Sequence, residues 1–417
     1  MARIVVKFGG TSVGDPKRIE NAAEKIYQEI KRGHEVVVVV SAMAGVTNQL
    51  VDYCHQITPD HTAEEYDMVV ASGEQVTSGL MAIALHKRGI EARSFAGWQV
   101  PLICSDQHGR ARIDDIPPEN LEQALSSKIV PVVAGFQGVS RSNRISTLGR
   151  GGSDTTAVAL AAALNADRCD IYTDVDGVYT TDPRMVPDAQ KLDLVSYEEM
   201  LEMAALGAKV LHPRSVELAM AYNVSLQVLS SFAPQVGSQL PGTLIVSEDK
   251  IMEKQIVNGV AFTRNEAKIS ILGIPDSPGT AAAIFDPLCA ADINVDVIVQ
   301  NISANGSTAD MTFTVPKLDA QKTVEILEKL PFAQQSQIRI DTKIAKISII
   351  GIGMSSHSGV ARTMFRTLAD HRINIQAITT SEIKISVLID EQFTEAAVKA
   401  LHQAFELGKT DMRATGS

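Results

Sequence analysis

An internal repeat near the C-terminus constrains the fold of this chain more than any other feature of its sequence. The segment KISILGI at 268–274 returns as KISIIGI at 346–352. Further matched pairs include Asn294 with Asn374 and Ile298 with Ile378. Each copy has the pattern strand, turn, helix, strand, strand, helix. Because two copies are too few for a solenoid, the repeat predicts two small α+β modules packed side by side.

The region before the repeat alternates strand and helix patterns. Residues 3–8 and the valine-rich run 35–40 predict two short strands, the second buried on both faces. Between them, Asp15 and Pro16 predict the start of a helix that ends at Gly33. Further strand-like runs lie at 129–134 and 171–173. This rhythm predicts a mostly parallel sheet covered by helices, with ligands at the carboxyl ends of its strands.

Composition narrows the class of protein. The 417 residues include 38 Lys and Arg against 49 Asp and Glu, a formal charge of −11. An acidic surface repels phosphate backbones, so we expect no nucleic-acid partner. The longest valine run is far shorter than the ~20 apolar residues of a spanning helix, and the first residues show no signal-peptide pattern, so we expect no membrane partner. The four widely spaced cysteines are predicted to be buried reduced thiols of a cytoplasmic enzyme: Cys54, Cys104, Cys169 and Cys289.

A lysine and two glycines follow the first predicted strand in KFGGTS, residues 7–12. Glycines let backbone N–H groups approach phosphate oxygens, and lysine adds a point charge. One alternative is an ordinary flexible turn after a strand. Another is a hydrolase, because GTSVG at 10–14 fits the nucleophile elbow, although that enzyme would also need an Asp and a later His.

A second glycine-rich motif, TLGRGGSD at 147–154, precedes an alanine-rich helix pattern. Unpaired N–H groups at a helix start bind anions, and the planar fork of Arg150 suits a carboxylate. The alternative is an ordinary capped helix start, which explains Ser153 and Asp154 as N-caps. That alternative does not explain three glycines around an arginine.

An acidic loop, TDVDGVYTTDPR at 173–184, follows another strand pattern. It does not fit a calcium loop, because Tyr179 and Met185 stand where Gly and Glu are needed. It therefore offers Tyr179 and Arg184 to a nucleotide, with an Asp-rich turn as the alternative. The chain contains no GxxxxGK[ST], GxGxxG or HExxH, which argues against P-loop kinases, Rossmann dehydrogenases and zincins.

Taken in order, six motifs followed by two repeats resemble the aspartokinase family over essentially the whole chain. They are KFGGTS (7–12), SAMAGVT (41–47), SGE (72–74), TLGRGGSD (147–154), TDVDGVYTTDPR (173–184) and GAKVLHP (207–213). The resemblance implies an α/β amino-acid-kinase domain, an αβα sandwich with a mostly parallel sheet. A Ser-, Pro- and Gly-rich stretch at 230–242 marks its approaching end. We therefore expect a catalytic domain at 1–245, a linker at 246–265, and ferredoxin-like ACT modules at 266–342 and 343–417.

The resemblance also implies site residues. Lys7 would bridge the transferred phosphoryl group and the substrate β-carboxylate, Glu74 would take the α-ammonium, and Arg150 the α-carboxylate. With Asp154 these are the implied catalytic residues. The residues implied to bind ATP with its Mg²⁺ are Lys7, Phe8, Gly9, Gly10, Ser41, Thr173, Asp174, Tyr179, Arg184, Lys209 and Val210. Those implied to bind the substrate are Thr47, Glu74, Arg150, Gly151, Gly152, Ser153 and Asp154. No metal held by the protein alone is expected.

The implied reaction is ATP-dependent phosphorylation of L-aspartate to 4-phospho-L-aspartate. This would be the first step towards lysine, threonine and methionine, under feedback by lysine and/or threonine. The alternatives are a kinase for another small acid such as glutamate or acetylglutamate, a non-catalytic amino-acid sensor, and the hydrolase.

Effector sites are expected in the repeats, because their matched turns lead into helix starts that suit an amino-acid carboxylate. If the modules pair side by side, the turn of one faces a strand of the other. The predicted pockets combine Asp276, Gly279, Ala281 and Gln300 with Asn374 and Ile375, and Asn294, Val295 and Asp296 with Ser381 and Glu382. The resemblance implies self-association through these modules as a dimer or tetramer, and a shorter subunit starting at Met252. The turn SHSG at 356–359 departs from the Ser-His-Pro-Gly of many relatives.

Overall fold

The chain forms two compact units. The computed structural model describes residues 1–206, 210–251, 256–302, 308–357 and 359–408. The first unit comprises Met1–Val178 and Lys191–Glu253, and the second comprises Tyr179–Gln190 and Lys254–Ser417.

The first unit contains a main eight-stranded sheet covered by helices and a second sheet of four short strands. Its strands are β1 Arg3–Phe8, β2 Glu35–Val40, β3 Ala92–Phe95, β4 Ile103–Cys104, β5 Ile113–Asp115, β6 Val130–Ala134, β7 Gln137–Ser140, β8 Ile145–Thr147, β9 Arg168–Thr173, β10 Leu194–Ser196, β11 Leu226–Ser230 and β12 Thr243–Val246. Its helices are α1 Pro16–Lys31, α2 Val46–Ile57, α3 Ala63–Val70, α4 Ser72–His86, α5 Glu119–Ser126, α6 Gly152–Ala163, α7 Tyr197–Ala205 and α8 Pro213–Tyr222.

The main sheet has the strand order β10–β12–β11–β9–β1–β2–β6–β3. All neighbouring strands in it run parallel except β11 and β12. Five of the six residues of β2 are buried, as expected for a strand covered on both faces. Side chains of α1 and α4 share one apolar cluster with β1 and β2, and α6 also packs against β1, β2 and β9. The predicted parallel sheet is thus confirmed.

Local signals set the ends of these elements. Strands β1 and β2 have the predicted bounds. Helix α1 begins at Pro16 behind Asp15, whose carboxylate accepts the N–H of Arg18 at 2.9 Å. It ends at Lys31, and Gly33 then adopts φ +85°, a left-handed conformation that glycine tolerates.

One stretch of the first unit is apolar enough to cross a membrane by length and composition alone. Residues 63–86, which cover α3 and α4, pass this test, but over half of the window is buried inside the unit. A helix packed in a protein interior passes the same test. The burial therefore agrees with a core role for α4, whose Met81 and Leu85 are fully buried.

The second unit contains both repeats. Its strands are β13 Gly259–Thr263, β14 Glu266–Pro275, β15 Asp296–Ile302, β16 Thr308–Pro316, β17 Gln337–Asp341, β18 Ile344–Ile350, β19 Ala377–Thr380 and β20 Lys384–Asp390. Its helices are α9 Thr280–Ala290, α10 Ala320–Leu327, α11 Gly359–Asp370 and α12 Thr394–Ala404. Each repeat follows the predicted order of strand, helix, strand, strand and helix, so that prediction is confirmed.

The two modules form separate antiparallel sheets with equivalent orders. They are β17–β14–β16–β15 and β13–β18–β20–β19. Strands β14 and β18 are the matched first strands, and each gains a neighbour from outside its repeat pattern. In the first module that neighbour follows the repeat, whereas in the second it is β13, which precedes both repeats.

The structure differs from the sequence predictions at three places. Strand β13 lies inside the predicted linker 246–265 and belongs to the second module's sheet. Residues 179–190, predicted within the first domain, group with the second unit, where Thr180 hydrogen-bonds His402 at 2.9 Å. The domain limits themselves stay a prediction. Cys289 is exposed, which corrects its predicted burial, while the other three cysteines are buried and all four are free thiols.

Candidate active site

The motif residues of the first unit gather at one edge of its sheet. Because β1, β2, β6 and β9 run parallel, their carboxyl ends share that edge. Lys7 lies at the end of β1, Ser41 follows β2, and Thr173 ends β9. The first turn of α6 lies beside the end of β6, since a Cβ on Gly135 would come 2.9 Å from the Ser153 side chain.

Lys7 forms an ion pair that connects β1 to α6. Its Nζ lies 2.5 Å from Oδ1 of Asp154 in the first turn of α6. Lys7 is 8% exposed, so the pair is shielded from bulk water and its attraction is stronger than at an open surface. A Cβ on Gly9 would approach this Nζ to 3.5 Å, so the glycine keeps space beside the ammonium group.

The two glycines of KFGGTS contribute differently. The Gly9 N–H donates to the Tyr172 carbonyl at 3.1 Å. That N–H is therefore committed to the protein, and the implied contact of Gly9 with phosphate is not made through it. A Cβ on Gly10 would lie 3.0 Å from the Ala42 carbonyl, so the turns after β1 and β2 approach each other closely.

Glu74 is a buried carboxylate in the first turn of α4. The neighbouring Gly73 lets α4 pack closely onto Ala42, since a Cβ added at Gly73 would lie only 2.7 Å from the Ala42 Cβ. This close packing places the Glu74 side chain beside Ala42. Its Oε1 accepts the Ala42 N–H at 3.1 Å, while its buried Oε2 has no hydrogen-bond partner among the described residues. Burial raises the pKa of Glu74 to about 7, partly offset by the Ala42 hydrogen bond. An unsatisfied buried carboxylate oxygen is a natural acceptor for a substrate cation.

The loop that carries Arg150 is built from glycine conformations. Gly149 and Gly151 adopt φ +75° and +71°, which other residues rarely do. Gly151, rather than Ser153 or Asp154, is the N-cap of α6. Gly151 also packs against His212, whose Cβ would lie 2.3 Å from a Cβ added there. Arg150 itself is exposed at this edge.

The residues implied to bind the nucleotide have varied positions. Thr173 and Asp174 lie at the end of β9, where the Thr173 hydroxyl donates to the Asp174 carboxylate at 3.2 Å. Tyr179 and Arg184 belong to the second unit. Lys209 lies outside the described residues, and the neighbouring Val210 is half-buried.

The remaining implied site residues of the first unit lie close to these. Phe8 is buried at the end of β1 and stacks on Tyr172. Thr47 lies in the first turn of α2, and Gly152 begins α6.

The hydrolase interpretation is wrong. Ser12 is 3% exposed, and its hydroxyl hydrogen-bonds the Ser231 hydroxyl and the Tyr172 carbonyl. A nucleophile elbow needs an exposed serine hydroxyl. Here the hydroxyl instead joins the turn after β1 to the ends of β9 and β11.

The residues predicted to bind effectors have mostly exposed side chains. The exposed residues are Asp276, Gly279, Ala281, Asn294, Asp296, Gln300, Asn374, Ser381 and Glu382, and Val295 and Ile375 are half-buried. Asp296 additionally forms an ion pair with Lys346 of the second module at 2.5 Å. The structure thus gives Asp296 a partner that the sequence did not reveal.

Sequence reasoning missed two residues that hold the Arg150 loop. Asp67, in α3, is completely buried and accepts the N–H of Thr147 at 2.9 Å. Arg214, in α8, donates to the carbonyl of Leu148 at 2.7 Å. Arg214 directly follows GAKVLHP, and this adjacency is the only sequence signal for it; nothing in the sequence distinguishes Asp67.

Comparisons with known proteins show the family of the chain. A profile of the Amino acid kinase family matches residues 2–230, and an ACT domain profile matches 269–330 and 347–405. The chain is 53% identical to an aspartate kinase of Pseudomonas putida, over 98% of each chain.

Solved structures of E. coli aspartokinase III match most of the chain. E. coli aspartokinase III in complex with aspartate and ADP, in the R-state, matches with a TM-score of 0.80 and 28% identity, covering 96% of this chain and 99% of that one. The T-state of that enzyme, in complex with lysine and aspartate, matches with a TM-score of 0.76 at the same identity and coverage. The chain therefore belongs to the aspartokinase family of aspartate kinases, with an amino-acid-kinase domain followed by C-terminal ACT domains.

Proposed function

We propose that this enzyme transfers the γ-phosphoryl group of ATP to the β-carboxylate of L-aspartate, forming 4-phospho-L-aspartate. The observation that carries the proposal is the buried Glu74 with its unpartnered Oε2, at the same sheet edge as Lys7. A carboxylate in that position suits the α-ammonium group of an amino acid, and a lysine suits the reacting phosphate. The E. coli relative solved with aspartate and ADP supports the same pair of ligands.

In this proposal the residues divide the substrate between them. Glu74 binds the α-ammonium group, and Arg150 binds the α-carboxylate through its planar fork. Thr47 and the α6 start from Gly151 to Asp154 complete the substrate side. A charge-assisted contact of this kind contributes roughly 1.5–3 kcal/mol. The Glu74 contact is the one that selects an amino acid over a simple dicarboxylic acid, because such an acid has no α-ammonium group.

Lys7 acts on the reacting groups themselves. The β-carboxylate is already ionised at neutral pH, since a free aspartate side chain has a pKa of about 3.9, and no general base is needed. Catalysis then consists of alignment and charge neutralisation. Lys7 neutralises charge between the carboxylate and the phosphoryl group, and Asp154 fixes the position of its ammonium group.

The nucleotide is proposed to lie along the turns after β1, β2 and β9. Gly10, Ser41, Thr173 and Asp174 line this edge, and Phe8, Gly9, Lys209 and Val210 complete the proposed set, while Tyr179 and Arg184 of the second unit stay predictions. Mg²⁺ would enter with ATP, because this ion is usually held by substrate phosphates and one or two carboxylates. Asp154 and Asp174 are oxygen donors that fit such an ion.

The ACT modules are proposed to impose feedback by lysine and/or threonine on this first step of the pathway to lysine, threonine and methionine. The lysine complex of the E. coli relative supports amino-acid binding. Most of the predicted effector residues are exposed, which leaves them accessible to a small molecule or to a second chain.

Self-association through the ACT modules is proposed from two sheet edges. Strands β15 and β19 are matched edge strands, and each exposes an isoleucine, Ile298 and Ile378. On one side neither strand has a hydrogen-bonded neighbour among the described strands, although the two strands also contact each other. Edge strands with exposed apolar side chains favour strand pairing with another copy, as a dimer or tetramer. The shorter subunit from Met252 stays a prediction, since Met252 lies outside the described residues. We place the enzyme in the cytoplasm.

A coupled assay of ADP release tests the proposal against its alternatives. L-aspartate alone should support turnover in a panel that includes L-glutamate, N-acetylglutamate and succinate. Turnover with another acid of the panel would indicate a different small-acid kinase. No ADP release with any acid would favour a non-catalytic sensor.

A further inference from the structure

The glycine-rich loop that carries Arg150 makes few contacts that fix the position of the Arg150 side chain. Among the described residues, no side-chain hydrogen bond anchors Arg150, and the glycines on both sides of it adopt left-handed conformations. Glycine permits many backbone conformations, so the sequence of the loop does not fix where the guanidinium lies. The segments that flank the loop must supply that precision.

Asp67 fixes the N-terminal side of the loop. Its carboxylate accepts the Thr147 N–H at 2.9 Å and the Thr147 hydroxyl at 2.5 Å. It also accepts the Gly109 N–H at 3.0 Å and pairs with Nδ1 of His108 at 2.9 Å. A single carboxylate with no exposed surface thus binds four donors from two distant segments.

Arg214 holds the same two segments from the other end. One guanidinium nitrogen donates to the Leu148 carbonyl and another to the Ala111 carbonyl, each at 2.7 Å. The backbone N–H of Arg214 donates to Nδ1 of His212 at 3.3 Å, and the His212 side chain packs against Gly151. Asp67 and Arg214 therefore join residues 108–111 to residues 147–148, immediately before the arginine.

We infer that Asp67 and Arg214 are positioning residues for substrate binding: together they fix the Arg150 loop so that its guanidinium meets the substrate α-carboxylate. This inference rests on the proposed function of Arg150. Neither residue touches the substrate. Their effect should appear on the amino-acid side of the reaction and not on the nucleotide side, because within the described residues neither side chain hydrogen-bonds to the turns after β1, β2 or β9.

Two variants and one control test the inference in the full chain. Asp67→Asn keeps the shape but replaces an acceptor by an NH₂ group that faces backbone N–H donors. Arg214→Lys keeps the charge but loses the fork that reaches two carbonyls. Asp106→Asn is the matched control, since Asp106 lies next to the same segment, is exposed and binds Ser142 instead of the loop.

Displacement of a binding group by about 1 Å can cost up to ~100-fold in rate. We therefore expect both variants to raise KM for aspartate by about tenfold or more, to leave KM for ATP within about twofold, and the control to match the wild type. A structural role alone would lower Tm and shift both KM values together.

Each outcome decides the inference. Equal changes in the two KM values, or an unchanged aspartate KM in a folded variant, would overturn it. If Asp67→Asn does not fold, Arg214→Lys decides, because that side chain is only half-buried. Wild-type enzyme that releases no ADP with aspartate would refute the proposed function, and the positioning role would then be judged by the same KM comparison with the acid that does support turnover.

Discussion

Two of the three buried lysines among the described residues, Lys7 in the first unit and Lys346 in the second, have opposite surroundings. Lys7 is 8% exposed and Lys346 is 4% exposed, and both pair with carboxylates. Lys346 lies within a strand between Glu266 and Asp296, whereas Lys7 lies near a strand end beside a glycine turn and has one carboxylate partner. Burial alone therefore does not indicate whether a lysine is catalytic or structural. Open space beside its ammonium group, where a ligand can bind, is the feature that indicates a catalytic lysine.

The carboxylates around Lys346 keep this buried lysine charged. Burial alone would lower the pKa of Lys346, but Glu266 and Asp296 outweigh it, so the pKa lies above its ordinary value. The pKa of Asp296 is lowered by Lys346 in spite of its partial burial. Both groups thus stay charged at neutral pH, as an ion pair between the two modules.

The matched lysine of the first repeat sharpens the comparison. Lys268 occupies the position of Lys346, and Gln376 that of Asp296. Lys268 donates to Gln376, as Lys346 does to Asp296. Each module's lysine therefore reaches the matched position of the other module. Every residue of β18 is buried, whereas buried and less buried residues alternate along most of β14. The same sequence motif therefore forms a strand covered on both faces in the second module and a strand covered on one face in the first.

The largest structural effect is expected from Lys346→Ala. Removing one partner of a buried pair leaves uncompensated charge, which typically costs ~3–5 kcal/mol; partial exposure of Asp296 places our expectation near ~3 kcal/mol. Thermal unfolding of the full chain should show this loss, with kcat in the absence of effectors nearly unchanged. Lys268→Ala is the matched control and should cost less. An equal loss for both would contradict the comparison.

Arg150→Ala should act on the substrate alone. Loss of a charge-assisted contact is expected to weaken apparent aspartate binding by roughly 1.5–3 kcal/mol, about 10- to 150-fold. KM for ATP should change little, and Tm should not fall, because Arg150 is exposed. Equal effects on the two KM values would assign Arg150 to the nucleotide instead.

Much of this architecture was predictable because its signals are local. Strands β1 and β2, the cap at Asp15 and the repeat order each depend on neighbouring residues. Strand β13 was missed because five residues in a presumed linker carry no pattern until they pair with β18. Asp67 was missed for the same reason, since its partner Thr147 is 80 residues away.

Control by the ACT modules should be separable from turnover. Asp276→Ala or Ser381→Ala is expected to relieve inhibition by lysine, threonine or both, a coupling of ~1–3 kcal/mol. The uninhibited rate should stay the same, because neither residue belongs to the first unit. Wild-type activity that millimolar lysine and threonine, alone or together, leave unchanged would refute the regulatory role.

Glu74 predicts a pH dependence with a definite sign. Its pKa of about 7 means that Glu74 loses its charge as pH falls below 7, so KM for aspartate should rise by up to about tenfold per pH unit there. Glu74→Gln should abolish this slope. Because the folded-state pKa is raised, the contribution of Glu74 to unfolding free energy is present at low pH and is lost as pH rises through about 7.

The most direct test of the account is turnover by Lys7→Ala, measured together with its Tm. Loss of a charge at the developing transition state is expected to cost ~3 kcal/mol or more, about 100-fold or more in kcat. Tm should fall as well, because Lys7→Ala leaves the nearly buried Asp154 without its partner, so kcat is measured well below that Tm. A folded Lys7→Ala protein with near-normal kcat would contradict the central claim that the open lysine is the catalytic one.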